Sequence, residues 1–401
     1  MKKAIKNIGS RKALTIVAVM WIIVLLTVII TVVAQSSRID TRITMVSAEN
    51  IRNKWACRGG IEKAIAILNE DDAGTDSFED LWYENPEDCN DVPLDGCSFT
   101  VKIIDESSKL NINTATEKQL SYLPYITEDI INSILDWRDG NDDIRTGGAE
   151  AGYYYNLPHG YRIRNGGFKT IRELLRVKDV SKALFYGSGG NPAWIDCLTC
   201  YSYDTNKDSS DEDKININRG SESQLATQLS ITNQQAKWIV ENRNFDKVGD
   251  LIKNNSPSQP PRSSGNSNNA QQMDRQTFFQ IVDKVTVTGT DIPGKVNINT
   301  VSRTALMAVL EGNEDLTNAI ISYRQQMSTG FTTLGDLSQI ETFTNDNIIK
   351  YIDLFTTRSS VFTIRSHAKA NATSAVRVVE TVVDRGKSPV EMIYWRSGVN
   401  N

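Results

Sequence analysis

The sequence predicts an α/β (α+β) protein in which an N-terminal transmembrane helix continues as a long α-helix packed on a small antiparallel sheet, with a large all-α domain inserted. Three observations predict this. An uncharged apolar run lies near the start, one short motif recurs three times through the middle, and strand-like alternation lies both before and after those repeats.

The apolar run covers residues 13–34, and 14 of these 22 residues are Leu, Ile or Val. At about 1.5 Å rise per residue, a helix of this length crosses the roughly 30 Å hydrocarbon core of a bilayer. A cleaved secretory signal has a shorter apolar stretch, about 7–15 residues, that ends at small residues. Here the run is longer and passes into Gln35 without such a site, so it reads as a retained anchor. Lys2, Lys3, Lys6, Arg11 and Lys12 precede it with no acidic residue. That asymmetry makes residues 1–12 a cytoplasmic basic leader and exports everything after the span.

From 36 to about 69 there is no proline, and Ile51, Trp55, Ile61, Ile65 and Leu68 recur near helical spacing, which extends the helix beyond the membrane. Gly59-Gly60 weakens that helix, since each Gly costs about 1 kcal/mol relative to Ala. Residues 70–96 are acidic, contain the turn formers Asp71-Asp72-Ala73-Gly74 and Asn85-Pro86, and read as a loop. The stretch 98–105 alternates, with Phe99, Val101 and Ile103 on one face of a strand.

Three copies of a pattern follow. They open Lys109-Leu-Asn-Ile-Asn-Thr, Lys214-Ile-Asn-Ile-Asn-Arg and Lys295-Val-Asn-Ile-Asn-Thr, and each has a Leu about nine residues on (Leu120, Leu225, Leu306). A second amphipathic segment ends at Arg138, Arg243 or Arg324, and a Phe-x-x-apolar-x-acidic-Leu element closes each copy, from Phe168, Phe245 and Phe331. Such self-similarity signals repeated helix-turn-helix units, in which the Asn and Thr residues are expected to cap helices. The first copy carries an extra stretch, 139–167, and the second a Pro/Ser/Asn/Gly-rich run, 254–272, that reads as disordered. Strand patterns return at 361–366, 375–384 and 390–395. The expected organisation is therefore the first part of an α/β domain at 35–110, a helical insertion at 111–355, and the closing strands at 356–401.

Without the five basic residues of the leader, 39 Lys and Arg face 49 Asp and Glu, a net charge of −10. Such a surface repels phosphate backbones, and no nucleic-acid partner is expected. Only two histidines occur, His159 and His367, and no nucleophile elbow, zinc-protease motif or phosphate loop is present, so no enzyme is expected. Of the five cysteines, Cys89 with Cys97 and Cys197 with Cys200 are the local disulfide candidates in an oxidising compartment, and Cys57 is left over. The Cys197-x-x-Cys200 spacing also occurs in redox motifs and half zinc sites, but no further ligands and no βαβ setting accompany it.

The most specific chemical signal is the twelve-residue run from Asp139 to Glu150. Asp139, Asn141 and Asp143 take positions 1, 3 and 5, Glu150 takes position 12, and Asp142 stands ready to replace a ligand. This is the oxygen-ligand spacing of a calcium loop, except that Ile144 replaces the usual turn glycine. A structural Ca²⁺ ion is the expected cofactor. Asp204-x-Asn206-x-Asp208 begins similarly but reaches Ile215 where the closing Glu belongs, and reads as a solvated turn.

The chain resembles the K-type minor pseudopilins of the type II secretion system. The resemblance rests on Ala13-Leu14 with Trp21, the Arg58-Gly-Gly-Ile-Glu62 stretch, and Asp105-Glu-Ser-Ser-Lys-Leu-Asn-Ile-Asn113. It continues through Trp137-Arg-Asp139, Gly148-Ala-Glu150, Tyr153-Tyr154, Glu173-Leu174-Leu175, Tyr201-Ser202, the later Asn-Ile-Asn segments and Ile393-Tyr-Trp395. It implies a pilin-like domain with a helical insertion, calcium in that insertion, and a place at the tip of a periplasmic pseudopilus, held in the bacterial inner membrane. The implied partners are other minor pseudopilins of the tip, the inner-membrane secretion platform and a prepilin peptidase. That peptidase cuts after a Gly at the edge of the apolar run, and here Gly9 is set back by Ser10-Arg11-Lys12. The early Glu of ordinary pilins is absent from 13–17, as in the K type.

The repeats are also similar to helix-hairpin-helix (SAM-like) units, which suggests the alternative of a membrane-anchored DNA-binding or uptake receptor. The hairpin positions Leu123-Pro-Tyr-Ile, Leu229-Ser-Ile-Thr and Leu310-Glu-Gly-Asn lack the Gly-x-Gly that would present N–H groups to a phosphate. The protein is therefore expected to bind double-stranded DNA no better than a neutral control at moderate salt. Fluorescence anisotropy with a labelled duplex checks this, and a salt-sensitive submicromolar complex would favour the receptor.

Overall fold

The computed structural model describes residues 9–72, 74–190, 192–253, 270–327, 329–373 and 375–398. Residues 1–8 of the basic leader and 254–269 of the Pro/Ser/Asn-rich run lie outside the described residues.

One helix, α1 (Gly9–Glu70), carries both the apolar run and its continuation. Every residue from Leu14 to Val33 is exposed, so none of the described residues covers this stretch. It is the one helix among the described residues long and apolar enough to cross a membrane. Further on, Asn53, Ala56, Cys57, Gly60, Ile61, Ala64 and Leu68 form a buried stripe at helical spacing. This corrects the predicted seam, because Ile51 and Trp55 point outward, 59% and 63% exposed. Gly60 has a packing reason to be Gly. A Cβ there would lie 2.7 Å from Val101 Cγ2 and 2.9 Å from Phe99 Cδ2, so the helix meets the sheet backbone to side chain.

The sheet has five antiparallel strands in sequential order: β1 (Val92–Leu94), β2 (Cys97–Asp105), β3 (Val361–Ala370), β4 (Val376–Asp384) and β5 (Glu391–Ser397). Alternation in β2 turns Phe99, Val101 and Ile103 into a core with Ile61, Leu68, Phe362 and Ile364. Fully burying one such side chain is worth about 1.5–3 kcal/mol. The acidic stretch before β2 holds more structure than a loop. It contains a short helix, Pro86–Cys89, capped by the Asn85 side chain, and it inserts Trp82 edge-on against Phe362 with ring centroids 5.4 Å apart.

The chain leaves the sheet at Asp105 and returns at Val361, on neighbouring strands whose register pairs Asp105 with Phe362. Between these points lies a second, larger core that runs from Leu110 to Phe355. It includes the repeat helices α2 (Glu117–Leu120) and α3 (Glu128–Arg138), α4 (Glu222–Leu229) and α5 (Asn233–Glu241), and α6 (Arg303–Val309) and α7 (Glu314–Gln326). Leu120, Leu225 and Leu306 are each fully buried in it.

The motif asparagines do not cap these helices. The caps are Thr116, Thr127, Ser221, Thr232, Ser302 and Asn313. The first Asn of each motif (Asn111, Asn216, Asn297) closes an Asx turn by accepting from the second. The second Asn then bridges to the Phe of its own repeat. Asn113 donates to Phe168 O and accepts from its N–H at 2.9 and 2.7 Å, and Asn218 with Phe245 and Asn299 with Phe331 repeat the arrangement. The closing arginines satisfy the turn from the other side. Arg138 donates to Ile112 O and Ala115 O, Arg324 to Ile298 O and Val301 O, and Arg243 to Gly220 O.

The inserted domain is also not wholly α. Leu110–Asn111 pairs in parallel with Leu198–Thr199, Ile215–Asn216 with Val285–Thr286, and Val296–Asn297 with Phe355–Thr356. Each repeat is thus closed by a two-residue ladder, which satisfies the extended backbone that carries the motif. A fourth ladder, Tyr203–Asp204 with Ile292–Pro293, is antiparallel.

Two polar junctions fix the insertion to the sheet. At its root, Asp105 accepts from Thr300 and Asn297, while Asn297 also donates to Ser359 Oγ and to Asp76 O. On the outer sheet face, Arg172 of the first repeat grips Glu380 with both terminal nitrogens at 2.7 and 3.3 Å, and Arg365 holds the same carboxylate at 2.9 Å. Burial raises the Glu380 pKa, but the two guanidiniums more than offset it, and the net shift is downward.

Replacing Asn299 by Leu strands the N–H and C=O of Phe331, where Asn299 itself is 1% exposed. Each buried unpaired group costs about 1–3 kcal/mol, so chemical denaturation should register a loss of about 2–5 kcal/mol. Asn218→Leu, at a half-buried position, should cost less.

Candidate functional site

The extra stretch of the first repeat builds a carboxylate cluster behind α3. Asp136 projects from the last turn of α3, Asp139 follows the helix end, and Glu150 precedes a short helix, Ala151–Tyr155. Oxygens of these three residues all lie within 4.8 Å of one another. Asp136 is fully buried and Glu150 is 2% exposed. Gly148 makes room for the cluster, because a Cβ there would collide with the Asp136 carboxylate.

One cation pairs with two of the three anions. Arg145 Nη1 lies 2.9 Å from Asp136 and 2.7 Å from Asp139. Its backbone N–H also donates to Asp136. No ion pair forms at Glu150 among the described residues, and neither of its buried oxygens has a hydrogen-bond partner of normal geometry. Burial first, then the charges of Asp136 and Asp139, push its pKa up to about 7. An acid so placed is costly unless a proton or a further cation joins it. The donors are hard oxygens, two of them buried carboxylates, and that set fits calcium.

The arrangement differs from the loop read in the sequence. Asp139 and Glu150 do come together, but Asp136, one helical turn earlier, takes the third place. Asn141, Asp142 and Asp143 are exposed. Asn141 Oδ1 accepts from Asp143 N at 2.7 Å, and Asp142 accepts from Asn165 Nδ2 at 2.8 Å. The physical reason lies at Ile144. Ile144 stands 65% exposed where a turn glycine is usual, and the run turns instead at Gly147 (φ +73°), which brings Arg145 rather than Asn141 or Asp143 onto Asp136 and Asp139. The spacing Asp136-x-x-Asp139 across a helix end was the available signal for the missed residue.

Asp204 is placed otherwise. It is buried against Lys295 Nζ at 3.0 Å, and although burial raises its pKa, Lys295 and Lys214 together bring it below the ordinary range. Lysine amines already supply the charge a metal would bring.

All five cysteines are thiols in the structure, so neither local pair read from the sequence is joined in it. Cys57, the unplaced one, lies under α1 with its Sγ 3.4 Å from Arg377 O on the sheet. Burial pushes the Cys197 thiol up to about 11 and Cys200 higher still. Thiols held protonated are poor nucleophiles, which weighs against redox chemistry there. His159 sits in an exposed turn, and His367 is on β3 with its pKa lowered by burial and Arg365.

The three hairpins each carry a left-handed residue, at Tyr125, Ser230 and Glu311-Gly312. The third places the Glu311 carboxylate at 2.8 Å from both Lys118 and Lys350.

If the cluster takes calcium, wild-type protein should unfold at higher temperature in millimolar calcium than in EGTA. The gain is RT ln(1 + [Ca]/Kd), about 2.7 kcal/mol at a hundredfold excess. Asp136→Asn with Glu150→Gln should abolish the shift, whereas Asn141→Ala with Asp143→Asn should leave most of it. Equal calcium shifts in all three proteins would overturn the assignment.

No curated protein matches the chain. Among solved structures it is similar to "The Crystal Structure of the GspK-GspI-GspJ complex from enterotoxigenic Escherichia coli Type 2 Secretion System", at 14% identity and a TM-score of 0.49, over 89% of this chain and 99% of that one. Residues 109–186, which span the first repeat from its Asn-Ile-Asn turn through the carboxylate cluster, match the family model described as type II secretion system (T2SS), protein K.

Proposed function

We propose that the chain is a non-enzymatic minor pseudopilin of the type II secretion system, acting at the pseudopilus tip in assembly and in protein export across the outer membrane. The observation that carries this reading is the protein K match at 109–186, lying inside a domain inserted between two strands of a sheet that packs on a membrane-length helix. In this reading the sheet and the packed half of α1 are the pilin-like part, and the three repeats are helix-hairpin-helix-like units used for packing. The apolar half of α1 anchors the chain in the inner membrane, with the basic leader in the cytoplasm and the bulk of the chain in the periplasm. Its partners are sibling minor pseudopilins, the kind named in the GspK-GspI-GspJ complex, together with the inner-membrane platform and a prepilin peptidase.

Two physical arguments support a terminal position. The insertion between Asp105 and Val361 forms a core larger than that of the sheet, and such bulk would collide with neighbours inside a helical filament. The helix also has no acidic residue at 13–17 with which to neutralise the amino terminus of a subunit beneath it. Calcium at Asp136, Asp139 and Glu150 fits the same reading as a structural ion that holds the extra stretch of the first repeat. The DNA-receptor alternative is weakened by the third hairpin, where the Glu311 carboxylate already takes the Lys118 and Lys350 amines and adds a negative charge that repels a phosphate backbone.

The test is immunogold labelling of sheared pseudopili with an antibody to 109–186. Gold confined to one end of each filament is expected. Labelling along the sides would overturn the tip position.

A further inference from the structure

Beyond the carboxylate cluster, the first repeat carries a groove of about 530 Å³ whose charge is opposite to that of the chain as a whole. Its walls include Arg162, Arg164, Arg172 and Arg176, with Trp137 and Ile163 as the apolar side. The size is that of a ligand cleft. Four guanidiniums share it with a single carboxylate, Glu173, which is already committed. Glu173 accepts from Lys169 N and Thr170 N at the start of the segment Ile171–Arg176, and reaches Arg164 only at 3.5 Å.

Two of the remaining arginines make no ion pair among the described residues. Arg162 is exposed, and Arg176 lies over the ring of Tyr161 at 5.8 Å. Two lining residues also hold buried donors that no atom of the described residues accepts. They are Trp137 Nε1, on a side chain 3% exposed, and Arg172 Nε. Buried N–H groups are nearly always paired in a folded protein, and a buried indole N–H usually finds an acceptor. Unpaired donors together with uncompensated guanidiniums, on a chain whose exported part is net −10, point to an anionic occupant.

We propose that this groove binds carboxylate side chains presented by an acidic peptide segment of a partner protein. Guanidinium forks match flat carboxylates with two parallel hydrogen bonds, and Arg172 already holds Glu380 in that way beside the groove. The Trp137 and Ile163 wall gives the methylene stem of a glutamate an apolar surface, which a bare phosphate would not use. The inference rests on the groove alone and does not need the tip assignment.

The experiment is calorimetric titration of the full-length chain in nanodiscs with a blocked hexaglutamate peptide, and separately with inorganic phosphate. The peptide should bind the wild type, and Arg162→Gln/Arg164→Gln/Arg176→Gln should weaken it about tenfold or more. These positions are exposed, so the triple variant should unfold at the wild-type temperature. If it does not fold, Arg162→Gln alone, at a side chain with no ion pair, should still weaken binding about threefold. A charge-matched control, Lys253→Gln/Lys284→Gln/Lys369→Gln, should bind as the wild type does. Absence of peptide binding, equal weakening in the control, or tighter binding of phosphate than of peptide would each overturn the proposal.

Discussion

The root of the insertion is organised around one buried guanidinium. Arg385, at the end of β4, contacts Asp71 at 3.0 Å and Asp76 at 2.7 Å and donates to Ser359 O. Asp76 is fully buried, and its other contacts reach Ser359 N and, through its carbonyl, Asn297 of the third repeat. Burial raises the pKa of both aspartates, and Arg385 opposes that rise. Removing one partner of such a group leaves an uncompensated buried charge, which typically costs about 3–5 kcal/mol. Asp105, Thr300 and Asn297 surround this centre. The exit of α1, the end of β2, the start of the third repeat and the end of β4 are thereby held at one point.

The large features were legible because they rest on periodicity and repetition. An uninterrupted apolar run and a motif stated three times leave little freedom, and alternation marked β2 through Phe99, Val101 and Ile103. The misses have physical causes. Asn was read as a capping residue from its local preference, but at Asn113, Asn218 and Asn299 the amide is spent on a partner 27 to 55 residues away, which no local rule reports. A subtler signal does stand in the sequence. Asp196-Cys-Leu-Thr, Asp283-Lys-Val-Thr and Asp353-Leu-Phe-Thr mark the strands that close the three ladders, and in each the Thr hydroxyl accepts from the N–H two residues on. On α1, Ile51 and Trp55 fit helical spacing but face outward, because Gly60 and its neighbours set the seam by closeness of approach rather than by apolarity.

The carboxylate cluster was half legible. A twelve-residue template found Asp139 and Glu150 and pulled in Asn141, Asp142 and Asp143, which the loop turns outward. Arg145, inside the same run, has no place in that template, although it is the counter-ion of Asp136 and Asp139. Acidic spacing alone under-reads such a site, because the balance of charge is set by whichever basic residue the backbone delivers.

The rooting of the insertion on adjacent strands has a consequence for how the chain folds. Glu106 and Thr363 meet across 257 residues at 2.7 Å, and one of the two longest ladders of the sheet lies beside them. Closing so long a loop from an unfolded chain is entropically slow, and contacts of high sequence separation delay folding. A folded insertion removes the difficulty, since its own core already brings Leu110 and Phe355 into one body. The sheet then needs only a short closure. Topology therefore favours a nested order, in which the repeats condense first and the α1-backed sheet zips afterwards around a finished domain.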